Sequence, residues 1–118
     1  MTAFRITICA ALTLLLLTSA GVAVQRTDSL KAGKAELQSA GALTFGPDGV
    51  LFVGDSMGGK IFALDTEDRT ASQATAVEVT GMSEKIAAML GTTADQIQVN
   101  DVAVNPVSKK AYLSVSRG

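Results

Sequence analysis

The stretch Gly41 to Asp65, GALTFGPDGVLFVGDSMGGKIFALD, constrains this chain more than any other. Three short apolar runs, Ala42–Phe45, Val50–Gly54 and Lys60–Leu64, are separated by Gly46-Pro47-Asp48-Gly49 and by Ser56-Met57-Gly58-Gly59. Proline presets φ in a β-turn, aspartate bonds back to the backbone, and glycine takes the positive φ that a tight connection needs. The pattern predicts an antiparallel meander. Its runs scarcely alternate between apolar and polar residues, which predicts strands covered on both faces.

The chain begins with the basic lead Met1–Arg5, continues with an unbroken run of apolar residues and threonines from Ile6 to Leu17, and then offers the small residues Thr18–Ala23. This is the three-part pattern of a secretory signal. Its apolar run, about 12 residues, falls short of the ~20 that span a bilayer as a helix. Cleavage is expected after Ala23, the alternative being an uncleaved anchor reaching Val24. The single cysteine, Cys9, lies inside the apolar run and leaves with the signal. An extracytoplasmic protein, periplasmic or secreted, is expected, with no stable membrane span once the signal is removed.

No histidine occurs, and ten Lys+Arg stand against eleven Asp+Glu, a formal net charge of −1. Lys109-Lys110 is the one basic doublet, so nucleic acid is excluded as a partner on electrostatic grounds. With no histidine and no mature cysteine, the usual general base and thiolate are missing, and no catalytic residue is assigned. The segment from 24 to 40 is polar and interrupted by Gly33, and is expected to be a leader or linker.

After the meander, Thr66–Gln73 is polar, and Ala74–Thr80 (ATAVEVT) alternates, with Val77 and Val79 on one face. That predicts a fourth strand, half exposed, at an outer edge. Met82 to Gly91 follows with good helix formers, Ser83 as expected N-cap, Gly91 at a left-handed C-cap, and a Met82, Ile86, Met89/Leu90 stripe expected to dock the helix on its own domain. Thr93 to Gln96 has capping-box spacing. Asp101–Pro106 and Ala111–Ser116 then repeat the meander's order of strand, proline turn and aromatic-bearing strand. Pro106 corresponds to Pro47 and Tyr112 to Phe52, with one extra residue in the second turn. Setting aside the insertion Met82–Gln96 brings the spacing into the range of about 40–50 residues of a propeller blade.

Asp48, Gly49, Leu51, Phe52, Val53, Asp55, Gly59 and Ile61 match the pattern DG-x-L-aromatic-V-x-D-x-x-x-G-x-I. The chain thereby resembles the six-bladed β-propellers that include the NHL-repeat proteins and the gluconolactonase/senescence-marker-protein group. The resemblance covers residues 41–80 and 97–118 and implies an all-β fold: a four-stranded antiparallel blade over 41–80, a helical insertion over 82–96, and part of a second blade over 97–118, preceded by a signal helix over 1–23. Such propellers need four or more blades to close, so an N-terminal fragment is expected. In the gluconolactonase-like members an Asn-Asp-Gly sequence opens an inner strand and its Asn binds a divalent metal. Asn100-Asp101-Val102 resembles it with valine in place of glycine, which implies Asn100 and Asp101 as ligands of a cation such as calcium. The opposing reading has both side chains bonding to backbone. Gly41 stands where that family places an aspartate.

Two motifs point elsewhere. Gly54–Lys60 fits G-x-x-x-x-G-K, but Ile61 replaces the Ser/Thr that binds magnesium, and a strand is expected where a phosphate site needs a helix N-terminus. Gly54-Asp55-Ser56 resembles the nucleophile block of GDSL-type esterases, but no histidine is present to act as base. Capping of the hairpin turn accounts for Asp55 and Ser56. The function expected is that of a noncatalytic binding or scaffold module for a small molecule or protein. A gluconolactonase-like metal-dependent hydrolase is the first alternative and a GDSL-type esterase the second.

Overall fold

The structure, a computed structural model, describes residues 26–118; the expected signal helix lies outside them. The chain is mostly β, with two small antiparallel sheets and one short helix. The first sheet contains β1 (Leu43–Phe45), β2 (Val50–Asp55) and β3 (Lys60–Asp65) in that order; the second pairs β4 (Ile97–Val104) with β5 (Ala111–Arg117). Helix α1 (Met82–Leu90) lies between the sheets in sequence. Among the described residues, no helix is long and apolar enough to cross a membrane.

The first turn forms as its residues dictate. Pro47 opens a single 3-10 turn, Asp48 and Gly49 both take the left-handed conformation at φ 59° and 73°, and the Gly46 N–H closes the turn on the Val50 carbonyl at 2.8 Å. A side chain is excluded from Gly58 in the second turn, since a Cβ there would fall 2.5 Å from an Asp55 carboxylate oxygen.

The repeat seen in the sequence reappears as identical pairing. Leu43, Thr44 and Phe45 stand opposite Val53, Phe52 and Leu51, while Val102, Ala103 and Val104 stand opposite Leu113, Tyr112 and Ala111. Every rung of the first hairpin thus has its counterpart in the second. The sheets meet where β1 lies beside β4. Leu43, Phe45, Leu51 and Val53 share the inner face of the first sheet, and Leu51 and Val53 are buried. Across from them, Ser114 is buried and the Tyr112 ring meets Phe45 edge-on at 5.1 Å between centroids.

Both outer faces are open and apolar. Phe52 and Ile61 are exposed on the first sheet, and Val99, Val102, Val104 and Leu113 on the second. The expectation of strands covered on both faces is therefore corrected: burial is confined to the inner faces and to Val50 beside the turn.

Four further expectations are corrected. The first sheet has three strands, because Ala74–Thr80 forms no strand and is exposed throughout. The chain leaving β3 is drawn to the second sheet instead: Asp68 is held by the β4–β5 turn, and the Ser72 N–H donates to the Val107 carbonyl at 3.0 Å. Helix α1 begins one residue before the expected cap Ser83, with left-handed Gly81 as N-cap and no side-chain cap, whereas Gly91 closes it as a left-handed C-cap. The methionine stripe docks poorly. Ala87 is the buried helix residue, and Met89 is 85% exposed. Thr93 precedes the 3-10 turn Ala94–Gln96 without a side-chain capping bond.

The leader is more ordered than a free linker. Arg26–Ser29 makes a 3-10 turn, and residues 38 to 41 are fastened to the end of β2.

Candidate functional site: the seam between the sheets

A β-bulge makes the seam possible. Val99 pairs with Val115 and Asp101 with Ser114, which leaves Asn100 as the extra residue. The side-chain period of a strand is 2, so one inserted residue reverses which face the following residues occupy. The bulge thereby puts Val99 on the same open face as Val102 and turns Asn100 and Asp101 toward the first sheet.

There both side chains meet backbone. The Asn100 carboxamide donates to the Ala40 carbonyl at 2.9 Å, and Asp101 accepts the N–H of Leu43 at 2.8 Å through one oxygen and that of Val102 at 2.8 Å through the other. These N–H donors hold the Asp101 carboxyl below the usual carboxylate range, the Leu43 bond contributing most. Ser114 adds a third tie, its hydroxyl donating to the Gly41 carbonyl at 2.6 Å. Side chains of the second sheet thus satisfy the Leu43 N–H on the free edge of β1 and the Ala40 and Gly41 carbonyls just before it.

Calcium takes six to eight oxygen ligands. At this seam the Asp101 oxygens already accept backbone N–H groups, the Asn100 amide nitrogen is a donor, and no group of three or more His, Cys, Asp or Glu side chains suited to a metal occurs among the described residues. The Asn100 Oδ1 and the Asp101 carboxylate are the atoms that would serve as ligands of such a cation, and no chemical step is assigned to a metal here.

A second polar cluster, which the sequence reading missed, ties the chain after β3 to the second hairpin. Asp68 is buried and accepts from the Ser108 hydroxyl, the Tyr112 hydroxyl at 3.0 Å, the Asn105 carboxamide at 3.2 Å and the Lys110 ammonium at 3.2 Å. These partners, Ser108 foremost, hold its carboxyl below the ordinary value against the opposing effect of burial. Asn105 is wholly buried. Its carboxamide donates to the Asp68 carbonyl at 2.8 Å and accepts from the N–H groups of Val107 and Ser108. The sequence signal was an Asn-Pro turn; nothing in it named Asp68 as partner.

Asp55 is the third organiser. One oxygen accepts the Gln38 N–H and the other those of Ser39 and Gly58, with the Ser39 hydroxyl at 3.0 Å, and these bonds, led by that from Gln38, lower its pKa to about 2. It caps its own turn and anchors the leader. Ser56 lies beside Ser39, the hydroxyl oxygens 3.3 Å apart, in a chain without histidine. Lys60 opens strand β3, where a phosphate loop would lead into a helix.

No protein-family model matches the chain, and neither a curated protein nor a solved structure is similar to it.

Proposed function

We propose that the chain is an extracytoplasmic, noncatalytic scaffold or binding module built from propeller-like repeats, in which two consecutive sheets stack and present their turns to a small-molecule or protein partner. The observation that supports this reading is the matched pairing of the two hairpins together with their contact where β4 lies beside β1 and Tyr112 packs on Phe45. The carboxylates are engaged within the fold: Asp55 and Asp101 accept backbone N–H groups, and Asp68 accepts from four neighbouring side chains.

Incubating the purified chain with lactones and simple esters, with and without added calcium, tests the noncatalytic part. No turnover above background is expected. Turnover abolished by Asn100→Ala would favour the metal-dependent hydrolase, and turnover abolished by Ser56→Ala the esterase. N-terminal sequencing of the exported product tests localisation, with a start at Val24 expected and an intact Met1 in the cytoplasm refuting it.

A further inference from the structure

The two open faces of the molecule are counterparts of the two faces already packed inside it. Leu43, Phe45 and Val53 share the inner face of the first sheet, where Phe45 packs on Tyr112 of the second and the Leu43 N–H bonds to Asp101; by the shared register their equivalents are Val102, Val104 and Leu113, which are 55%, 55% and 37% exposed. On the inner face of the second sheet, Tyr112 meets Phe45 and its cross-strand partner Ala103 shares that face; their equivalents are Thr44 and Phe52, also exposed. One end of the stack therefore offers the surface that the other end is shaped to receive.

We propose that the chain stacks head to tail on a second copy of itself, the Val102, Val104 and Leu113 face of one copy receiving the Thr44, Phe52 and Ile61 face of the next. This inference rests on the reading of the sheets as stacked repeats. Continuity with the internal interface selects the occupant: Tyr112 packs against Phe45, and the same placement sets Phe52 of the second copy against Val104 of the first. Such a contact uses two different surfaces, so it propagates until the rotation closes a ring or leaves an open stack.

The polar ties of the internal seam are missing from this contact. Asn100, Asp101 and Ser114 correspond to Gly41, Ala42 and Gly54, none of which carries a polar side chain. Asp101 reaches the Leu43 N–H across the internal seam, whereas the equivalent N–H, that of Val102, is already bonded to Asp101 of its own chain. The contact between copies is held by apolar burial alone. It is weaker than the internal one and depends on concentration.

The test mixes two full-length chains, both carrying Cys9→Ser, one with Phe52→Cys and the other with Val104→Cys, under mild oxidation, and follows the parent chain by sedimentation velocity across concentration. A mixed disulfide forming in preference to either homodimer is expected, with association weakened at least about tenfold, or about 1.4 kcal/mol, by Val102→Lys. Phe52→Ser, which alters the opposite face, should weaken association in the same way and guards against misfolding of the lysine variant. A monomer at every concentration, association indifferent to both substitutions, or Val104→Cys pairing with itself as readily as with Phe52→Cys would overturn the proposal. Amide exchange at Leu43 in the same samples separates the two levels: a protected Leu43 in a strictly monomeric chain defeats self-stacking but leaves the stacked repeats intact, and an unprotected one defeats both.

Discussion

The Leu43 N–H donates to the Asp101 carboxylate at 2.8 Å although the residues are 58 positions apart, so a strand of one sheet has its free edge completed by a side chain of the other. Removing the acceptor orphans that N–H and frees the sheets to part. Asp101→Ala should speed amide exchange at Leu43 by at least about tenfold and weaken the Phe45–Tyr112 contact in NOE spectra, while the exchange of α1 stays unchanged. Asp101→Asn keeps one acceptor oxygen and should fall between. Equal exchange in all three proteins would show that the seam does not depend on this bond.

The pH dependence follows from five depressed carboxylates, Asp55, Asp65, Asp68, Asp95 and Asp101. A group whose pKa is lowered on folding stabilises the native state above its unfolded value, about 3.9 for aspartate, and that contribution is lost as pH falls through the folded value. For Asp55 the loss runs down to about 2. Thermal melts should therefore show stability nearly constant from neutral pH to about 4 and falling below it. With no histidine in the chain, no step is expected near pH 6. A transition there would mean that some other titrating group governs the fold.

Val53 and Ile61 are both aliphatic residues of the first sheet, but Val53 is 3% exposed on the inner face and Ile61 is 78% exposed on the outer one. Val53→Ala removes two buried methyl groups and should cost about 2 kcal/mol in urea denaturation. Ile61→Ala in dilute solution should cost less than about 0.5 kcal/mol. A large cost at Ile61 under conditions where the chain is monomeric would show that its face is covered from within the chain.

The hairpins were legible because their information is local. Gly46-Pro47-Asp48-Gly49 and the apolar runs beside it specify a turn and its register within a few residues, and Gly91 specifies the end of α1 in the same way. The candidate site was legible only in part. Asn100 and Asp101 stood out as a polar pair at the start of a strand, but their partners Ala40 and Leu43 are fixed by how the sheets stack, which strand periodicity does not encode. The bulge at Asn100 was hidden for the same reason. Ala74–Thr80 misled because alternation records which face a segment could bury, whereas the path of the chain was decided by Asp68 and Ser72 bonding to the second hairpin.

Asn105 is the residue on which that path depends most. In the first hairpin the equivalent position is Gly46, and the turn is made by left-handed Asp48 and Gly49; in the second, Lys109 is left-handed at φ 64° and the Asn105 side chain braces the turn as well, accepting from the N–H groups of Val107 and Ser108 while donating to the Asp68 carbonyl. The side chain is fully buried, so water does not substitute for it. Truncation leaves at least one buried acceptor and the turn's N–H donors without partners, at about 1–3 kcal/mol for each group that stays unsatisfied. Asn105→Ala should therefore destabilise the chain by at least about 2 kcal/mol with an unchanged urea m-value, against less than about 0.5 kcal/mol for the exposed control Gln98→Ala. It should also speed amide exchange at Ser72, whose N–H bonds to the Val107 carbonyl beside the same turn. Asn105→Asp keeps the acceptor but loses the donor and brings a second carboxylate beside Asp68, so at neutral pH it should be the more damaging substitution. If both variants melt with the parent chain, the segment after β3 is held by something other than this turn.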